Sequence, residues 1–445
     1  MTKHINKTKP ERAIDRLMAH FYGHELESLS TVEKVFPVTV QPDLEAAIDA
    51  LLPGAAFAGV SAGRSYETLT FSYLVNEQRQ PPVISAAEYL DIDIGEDTSG
   101  RCVVNGLWMF KVDDGPVALL VSQVGMMDRN PGVHTQVIAS KPAGGREEAQ
   151  AILAAFARHL SARSVYRGKA LSFETARNYM GGLGALKVHK LPKLTPDDVI
   201  LSERTLRTLD RTVFDFVRTR DALREKGFAT KRGLLLYGPP GTGKTHFIRY
   251  LLGHLDGHTS LLVTAEQVAA FNEVMGIARA LQPSVVVIED ADLLARARDD
   301  RDDCSQVLLN SLLNHMDGLT EDADIMFVLT TNRPESLEEA VRDRPGRIDQ
   351  AVEIPLPDAE CRRRLLDLYR KDMRLEEGVS EECIRRTDGA SAAFMREIAR
   401  RMGQFALLRQ SDDLSIEDLH SALGDMVADG SFTALALGAE TLIED

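Results

Sequence analysis

Apolar positions in the first 195 residues recur at two spacings. Ile14, Leu17, Met18 and Phe21 share one helical face, and Leu44, Ile48 and Leu51 share another. Leu69, Phe71, Tyr73 and Val75 alternate with smaller or polar residues, which predicts a strand with one buried face. Further strands are predicted over residues 106–112, 117–124 and 133–139. Asp113, Asp114, Gly115 and Pro116 carry turn chemistry and join the first two into a hairpin. Arg129, Asn130, Pro131 and Gly132 mark another turn. Ala149, Ile152, Leu153, Phe156 and Leu160 form the apolar stripe of an amphipathic helix, and residues 166–173 read as a last strand.

From Asp197 onward the pattern changes to alternation of strands and helices. Leu206, Leu209, Val213, Phe216 and Val217 mark a helix. Strands are predicted at Leu234, Leu235, Leu236, Tyr237 and over 260–264, 285–288 and 325–330. Helices are predicted over 265–281 and about 304–316. Such alternation predicts a mainly parallel sheet covered by helices on both faces, with ligands at the carboxyl ends of its strands. Beyond Pro357 only helical spacing remains, over 362–373, 381–387, 391–408 and 415–427. The expected organisation is therefore a mixed α/β domain over 1–195, an α/β domain over 196–357, a helical bundle over 358–428 and an acidic tail over 429–445. Glycine-rich residues 180–184 and proline-bounded residues 191–196 supply the linker.

Composition narrows the classes. The chain has 445 residues, 44% of them apolar, which is ample for buried cores. Its net charge of −15 argues against sequence-independent binding to nucleic-acid phosphates, and no aromatic-basic patch offsets it. Cys102, Cys304, Cys361 and Cys383 are scattered without metal spacing, as expected of inert thiols in a reducing compartment. No apolar stretch reaches the ~18–20 residues that span a bilayer, and no signal-peptide pattern opens the chain, so a cytoplasmic location is expected. In the first half, His134 and His159 are isolated and Trp108 sits in a strand pattern, so all three read as structural. The acidic stretch over 88–97, with Asp91, Asp93, Glu96 and Asp97, lacks the spacing of a calcium loop and is expected to be a solvated loop.

The chemistry concentrates after residue 234. Gly238, Pro239, Pro240, Gly241, Thr242, Gly243, Lys244 and Thr245 fit the phosphate-loop pattern between a strand and a helix that opens with His246. Glycines let backbone N–H groups converge on phosphate oxygens, and the helix adds its positive end. Lys244 is expected to reach the β- and γ-phosphates, and Thr245 to offer a hydroxyl to Mg²⁺. A second run, Val285, Val286, Val287 and Ile288, ends in Glu289 and Asp290, so two carboxylates emerge from the tip of a buried strand. One is placed to hold the metal and the other to orient water.

Together these motifs resemble an ATPase module of the AAA family, within the wider AAA+ class, over residues 197–428. In that likeness Gly238 to Thr245 is the Walker A loop and 285–290 the Walker B strand. Residues 312–319 resemble the helix and turn before sensor 1, and Asn332 is the sensor-1 amide that touches γ-phosphate and water. Arg344 and Arg347 lie in a segment similar to the one that carries arginine fingers. Asp198 and Val199 match the stretch beside the adenine, and Gly389 and Ala390 the place where the lid meets the nucleotide. The resemblance implies ATP and Mg²⁺ as ligands, ATP hydrolysis, and a homo-oligomeric ring of six, since a finger acts on the neighbouring subunit's site. It also implies a protein client recruited by the N-terminal domain. Two departures stand out. The usual Asp-Glu ending of Walker B is Glu289-Asp290 here, which predicts slow turnover. The only aromatic between 264 and 283 is Phe271, at core spacing, and the charged insert 295–303 has no aromatic. A nucleotide-gated switch without threading is thus the alternative to remodelling.

Overall fold

A computed structural model describes residues 10–25, 28–61, 68–76, 80–95, 97–123, 132–173, 186–264, 267, 270–293, 323–335 and 348–428. The chain divides into two compact units, Met1–His189 and Lys190–Asp445. The expected linker residues 180–184, helix 304–316, insert 295–303 and tail 429–445 lie outside the described residues.

In the first unit, strands β1 (Ser30–Phe36), β2 (Ala56–Ser61), β3 (Val83–Ser85), β4 (Tyr89–Gly95), β5 (Thr98–Val103), β6 (Asn105–Val112), β7 (Gly115–Gln123) and β8 (Val133–Ala139) accompany four helices. These are α1 (Ala13–His20), α2 (Gln41–Leu51), α3 (Phe71–Val75) and α4 (Gly145–Ala162). A six-stranded antiparallel sheet runs β1-β8-β7-β6-β2-β3. Its central strand β7 is buried on both faces. Val117, Leu119 and Val121 pack with α2 and α4, while Ala118 and Leu120 pack with α1 and α3. The β6–β7 hairpin turns on Asp113 and Asp114, both at positive φ, so β7 starts at Gly115, two residues earlier than the turn chemistry suggests.

Three expectations fail here. Residues 71–75 form a helical turn, because the Thr70 hydroxyl caps it by accepting from the Tyr73 N–H and because Phe71 and Leu74 are buried three apart. The acidic stretch is a hairpin of β4 and β5, because Leu90, Ile92 and Ile94 alternate with its aspartates. Asp93 accepts from the Val188 N–H at 3.1 Å. Of residues 166–173, only β9 (Ala170–Phe173) is a strand, paired with β10 (Leu186–His189); Tyr166 is buried in the preceding turn. Trp108, Cys102, Cys361 and Cys383 are buried, and the cysteines are unpaired thiols.

In the second unit, β11 (Arg232–Tyr237), β12 (Thr259–Val263), β13 (Ser284–Ile288), β14 (Ile325–Thr331) and β15 (Gln350–Glu353) form a parallel sheet in the order β12-β13-β14-β11-β15. β13 and β14 are buried along their full length, as strands covered on both faces must be. The helix expected near 206–217 is longer. It comprises α5 (Glu203–Leu209), a π segment and α6 (Phe216–Glu225). α7 (Lys244–His254) follows β11, and α8 (Phe271–Ala280) precedes β13. The helices Ala359–Tyr369, Val379–Arg386, Ala392–Leu408 and Ile416–Ala428 bury their own core around Leu366, Phe394, Met402 and Leu419. Among the described residues no helix is long and apolar enough to cross a membrane.

Candidate active site

The tips of three neighbouring strands, β13, β14 and β11, carry the polar residues. β11 ends at Tyr237, and the loop that follows is shaped by left-handed glycines. Gly238 has φ +147° and Gly243 has φ +103°. A Cβ on Gly238 would sit 2.2 Å from the Ile354 carbonyl oxygen, so only glycine lets the loop pass β15. Gly238→Ala is therefore expected to lower the melting temperature and to abolish nucleotide binding. A variant with wild-type melting and binding would contradict this.

Lys244 opens α7 and is buried. Its Nζ donates to the carbonyls of Gly238 at 2.7 Å and Pro239 at 2.8 Å. Burial brings its pKa down to about 8, with Asp290 and Asp292 acting in the opposite direction. The Thr242 hydroxyl donates to the Pro239 carbonyl at 3.0 Å. Gly241 ties this loop to the helical part of the same unit. Its carbonyl accepts from the Ala393 N–H at 3.0 Å, and a Cβ on it would meet the Ser391 hydroxyl at 2.8 Å. Gly389 and Ala390, expected at this junction, lie immediately before Ser391; Ala390 is buried.

Glu289 leaves the end of β13. Burial pushes its pKa up, while the Thr245 hydroxyl, hydrogen-bonded to the carboxylate, works against that rise. The two side chains expected on the metal side are thus in contact. Asp290 follows with φ +51°, a left-handed backbone at a non-glycine residue. Its N–H donates to Thr330 Oγ1 at 3.0 Å, and its Oδ1 accepts from Asn332 Nδ2 at 3.3 Å. The expected water-orienting acid and the expected amide sensor are therefore partners across two strands.

Asp292 was not singled out by the sequence. It is 3% exposed. Its Oδ1 accepts from the Thr331 hydroxyl at 3.2 Å and from the Asn332 N–H at 3.3 Å. A buried carboxylate with two donors holds the turn on which Asn332 sits. The signal that would have found it is a third acid, two residues after Asp290, following an otherwise apolar strand. Asp292→Ala removes both acceptor contacts, and turnover is expected to fall about tenfold or more with little change in nucleotide affinity. Steady-state kinetics beside an equilibrium titration would check it; unchanged turnover would show that the Asn332 turn stands by itself.

Asp198 and His246 are also brought together, through the Asp198 carbonyl 2.9 Å from His246 Nε2. The Asp198 carboxylate accepts from the Thr195 N–H and hydroxyl, which hold its pKa below the usual range. Val199 is buried in the core beneath the sheet. Arg344 and Arg347 lie outside the described residues.

The donor set suits a metal–triphosphate. It offers glycines at a helix start, one buried ammonium, a hydroxyl beside a carboxylate, and an acid paired with an amide.

Residues 234–356 match the family model described as the ATPase family associated with various cellular activities (AAA). This segment is an AAA domain. The chain is 32% identical over 253 residues to the proteasome-activating nucleotidase of Methanopyrus kandleri, covering 54% of this chain and 58% of that one. It is 29% identical over 266 residues to the 26S proteasome regulatory subunit 8 homolog of Schizosaccharomyces pombe, covering 57% and 66%. It is 29% identical over 237 residues to the cell division cycle protein 48 homolog of Archaeoglobus fulgidus, covering 51% and 32%. The chain thus spans less than two thirds of the length of each of these relatives. The matched segment contains Gly238, Lys244, Thr245, Glu289, Asp290, Asp292 and Asn332.

Proposed function

We propose that this AAA protein is a cytoplasmic, Mg²⁺-dependent ATP hydrolase that assembles as a ring of six and uses turnover to remodel a protein client. One observation supports this above the others. Thr245 with Glu289, Asp290 with Asn332, and Lys244 all meet at the tips of neighbouring parallel strands.

In this reading Lys244 and the N–H groups of the glycine loop bind the β- and γ-phosphates. His246, Asp198 and Val199 lie on the nucleotide's base side, and Gly389 and Ala390 at the lid. Mg²⁺, held by Thr245 and Glu289, offsets phosphate charge when bound. Asp290 accepts a hydrogen bond from water and aims it at the phosphoryl group. Asn332 fixes the Asp290 carboxylate, and Asp292 fixes Asn332. Arg344 and Arg347 complete a neighbour's site with guanidinium charge. Asp290 is one methylene shorter than the usual glutamate, so its carboxylate stands farther from the water, and turnover is slow. The experiment is phosphate release by the purified chain with sedimentation in the presence of a slowly hydrolysed ATP analogue. Slow Mg²⁺-dependent release and nucleotide-promoted assembly are expected. No release and a monomer throughout would overturn the proposal.

One observation favours a second reading, a nucleotide-gated switch. Phe271, the sole aromatic of residues 264–283, is 1% exposed and packs in the core, so it offers no side chain to a pore. A folded reporter fused to a client separates the two: client-stimulated hydrolysis with loss of the fold supports remodelling, and stimulation with the fold retained supports the switch.

A further inference from the structure

The first unit holds a cavity of about 200 Å³ that none of the chemistry above uses. Its floor is Ile48 and Leu52 on and just after α2, and Trp108 on β6. Phe57 and Tyr89 form its open sides, 42% and 39% exposed, an unusual placing for two aromatic rings on one surface. Phe57 and Trp108 are direct partners across β2 and β6, with ring centroids 4.8 Å apart. Gly106 makes room for that pair: a Cβ there would lie 2.5 Å from the Trp108 ring and 2.9 Å from the Phe57 ring. The aromatic wall is therefore built into the sheet.

Glu45 and Asp49, one helical turn apart on α2, place two carboxylates at the rim. Burial pushes the Glu45 carboxyl up and the Asp49 charge adds to that rise, while the Val103 N–H, donating to Glu45 at 2.7 Å, and the Arg101 charge work against it. Glu45 and Asp49 carry two negative charges against the single guanidinium of Arg101 that acts on Glu45, and a carboxylate excess beside aromatic faces suits a further cationic side chain. The rim already accepts one guanidinium: Arg101 lies 4.6 Å from the Tyr89 ring centroid.

We propose that this groove docks an arginine- or lysine-bearing peptide segment of the protein client. The cation sits between the aromatic rings and the two carboxylates, and the neighbouring apolar residue covers Ile48 and Leu52. The inference rests on the recruitment role given to the N-terminal unit and names what that unit recognises.

Trp108 is the only tryptophan in the chain, so its fluorescence reports the site without a label. The full chain is titrated, without nucleotide, with acetyl-Leu-Arg-Leu-amide, with acetyl-Leu-Glu-Leu-amide and with spermidine. A saturable Trp108 change with the arginine peptide alone is expected. Affinity is expected to fall about tenfold in Asp49→Asn and in Phe57→Ala. Asp49 is exposed, so its variant stays informative if Phe57→Ala misfolds. Equal binding of the glutamate peptide, a response to spermidine but not the peptide, or undiminished affinity in Asp49→Asn would each overturn the proposal. ATPase rates measured beside the titration keep the two readings apart. Peptide binding without any ATP turnover sinks the hydrolase and leaves the groove; turnover without peptide binding does the reverse.

Discussion

Asp290→Asn is expected to slow ATP hydrolysis about a hundredfold or more while nucleotide binding persists. Among the described residues, the Asp290 carboxylate accepts from the Asn332 side-chain amide, and in the proposed mechanism it also accepts from the attacking water. An amide of the same size presents only one oxygen and cannot take a proton. Asparagine tolerates the left-handed backbone at this position, φ +51°, so the fold is preserved and the measurement isolates the chemistry. Phosphate release at saturating ATP, set beside affinity for a fluorescent nucleotide, checks both halves. An unchanged rate removes Asp290 from the mechanism.

Lys244→Ala is expected to weaken ATP binding about a hundredfold and to leave no measurable turnover. The ammonium is buried and donates to the carbonyls of Gly238 and Pro239, so it shapes the loop as well as charging it. Truncation strips both carbonyls of their donor and the phosphates of their cation. Calorimetric titration with ATP reads the affinity, and a melting curve confirms that the chain is folded. Wild-type affinity in a folded variant would show that the phosphates bind elsewhere.

The fold was legible where local chemistry dictates it. The glycine loop between an apolar strand and a helix, and the run Val285 to Ile288 ending in acids, need no knowledge of distant partners. The hairpin at Asp113 and Asp114 was visible for the same reason, although the start of β7 was not. The short helix at 71–75 was hidden because five residues do not separate a two-residue period from a helical turn; its cap, Thr70, was the better clue. The β4–β5 hairpin was hidden by its aspartates, which outweighed the alternating Leu90, Ile92 and Ile94.

Within the site, single residues were legible and their connections were not. Asn332 was assigned from likeness to a motif. That it holds Asp290, and is itself held by Asp292, depends on β13 lying beside β14 with Ile288 opposite Leu329. No spacing along the chain encodes that register. The contact of Ser391 and Ala393 with Gly241 is likewise set by how the helices pack on the loop.

The most direct measurement is phosphate release from ATP by the purified chain, with and without Mg²⁺, with Lys244→Ala alongside. Slow release that requires Mg²⁺ and vanishes in the variant is expected. Release that survives the loss of Lys244, or a wild-type chain that neither binds nor cleaves ATP, would contradict it.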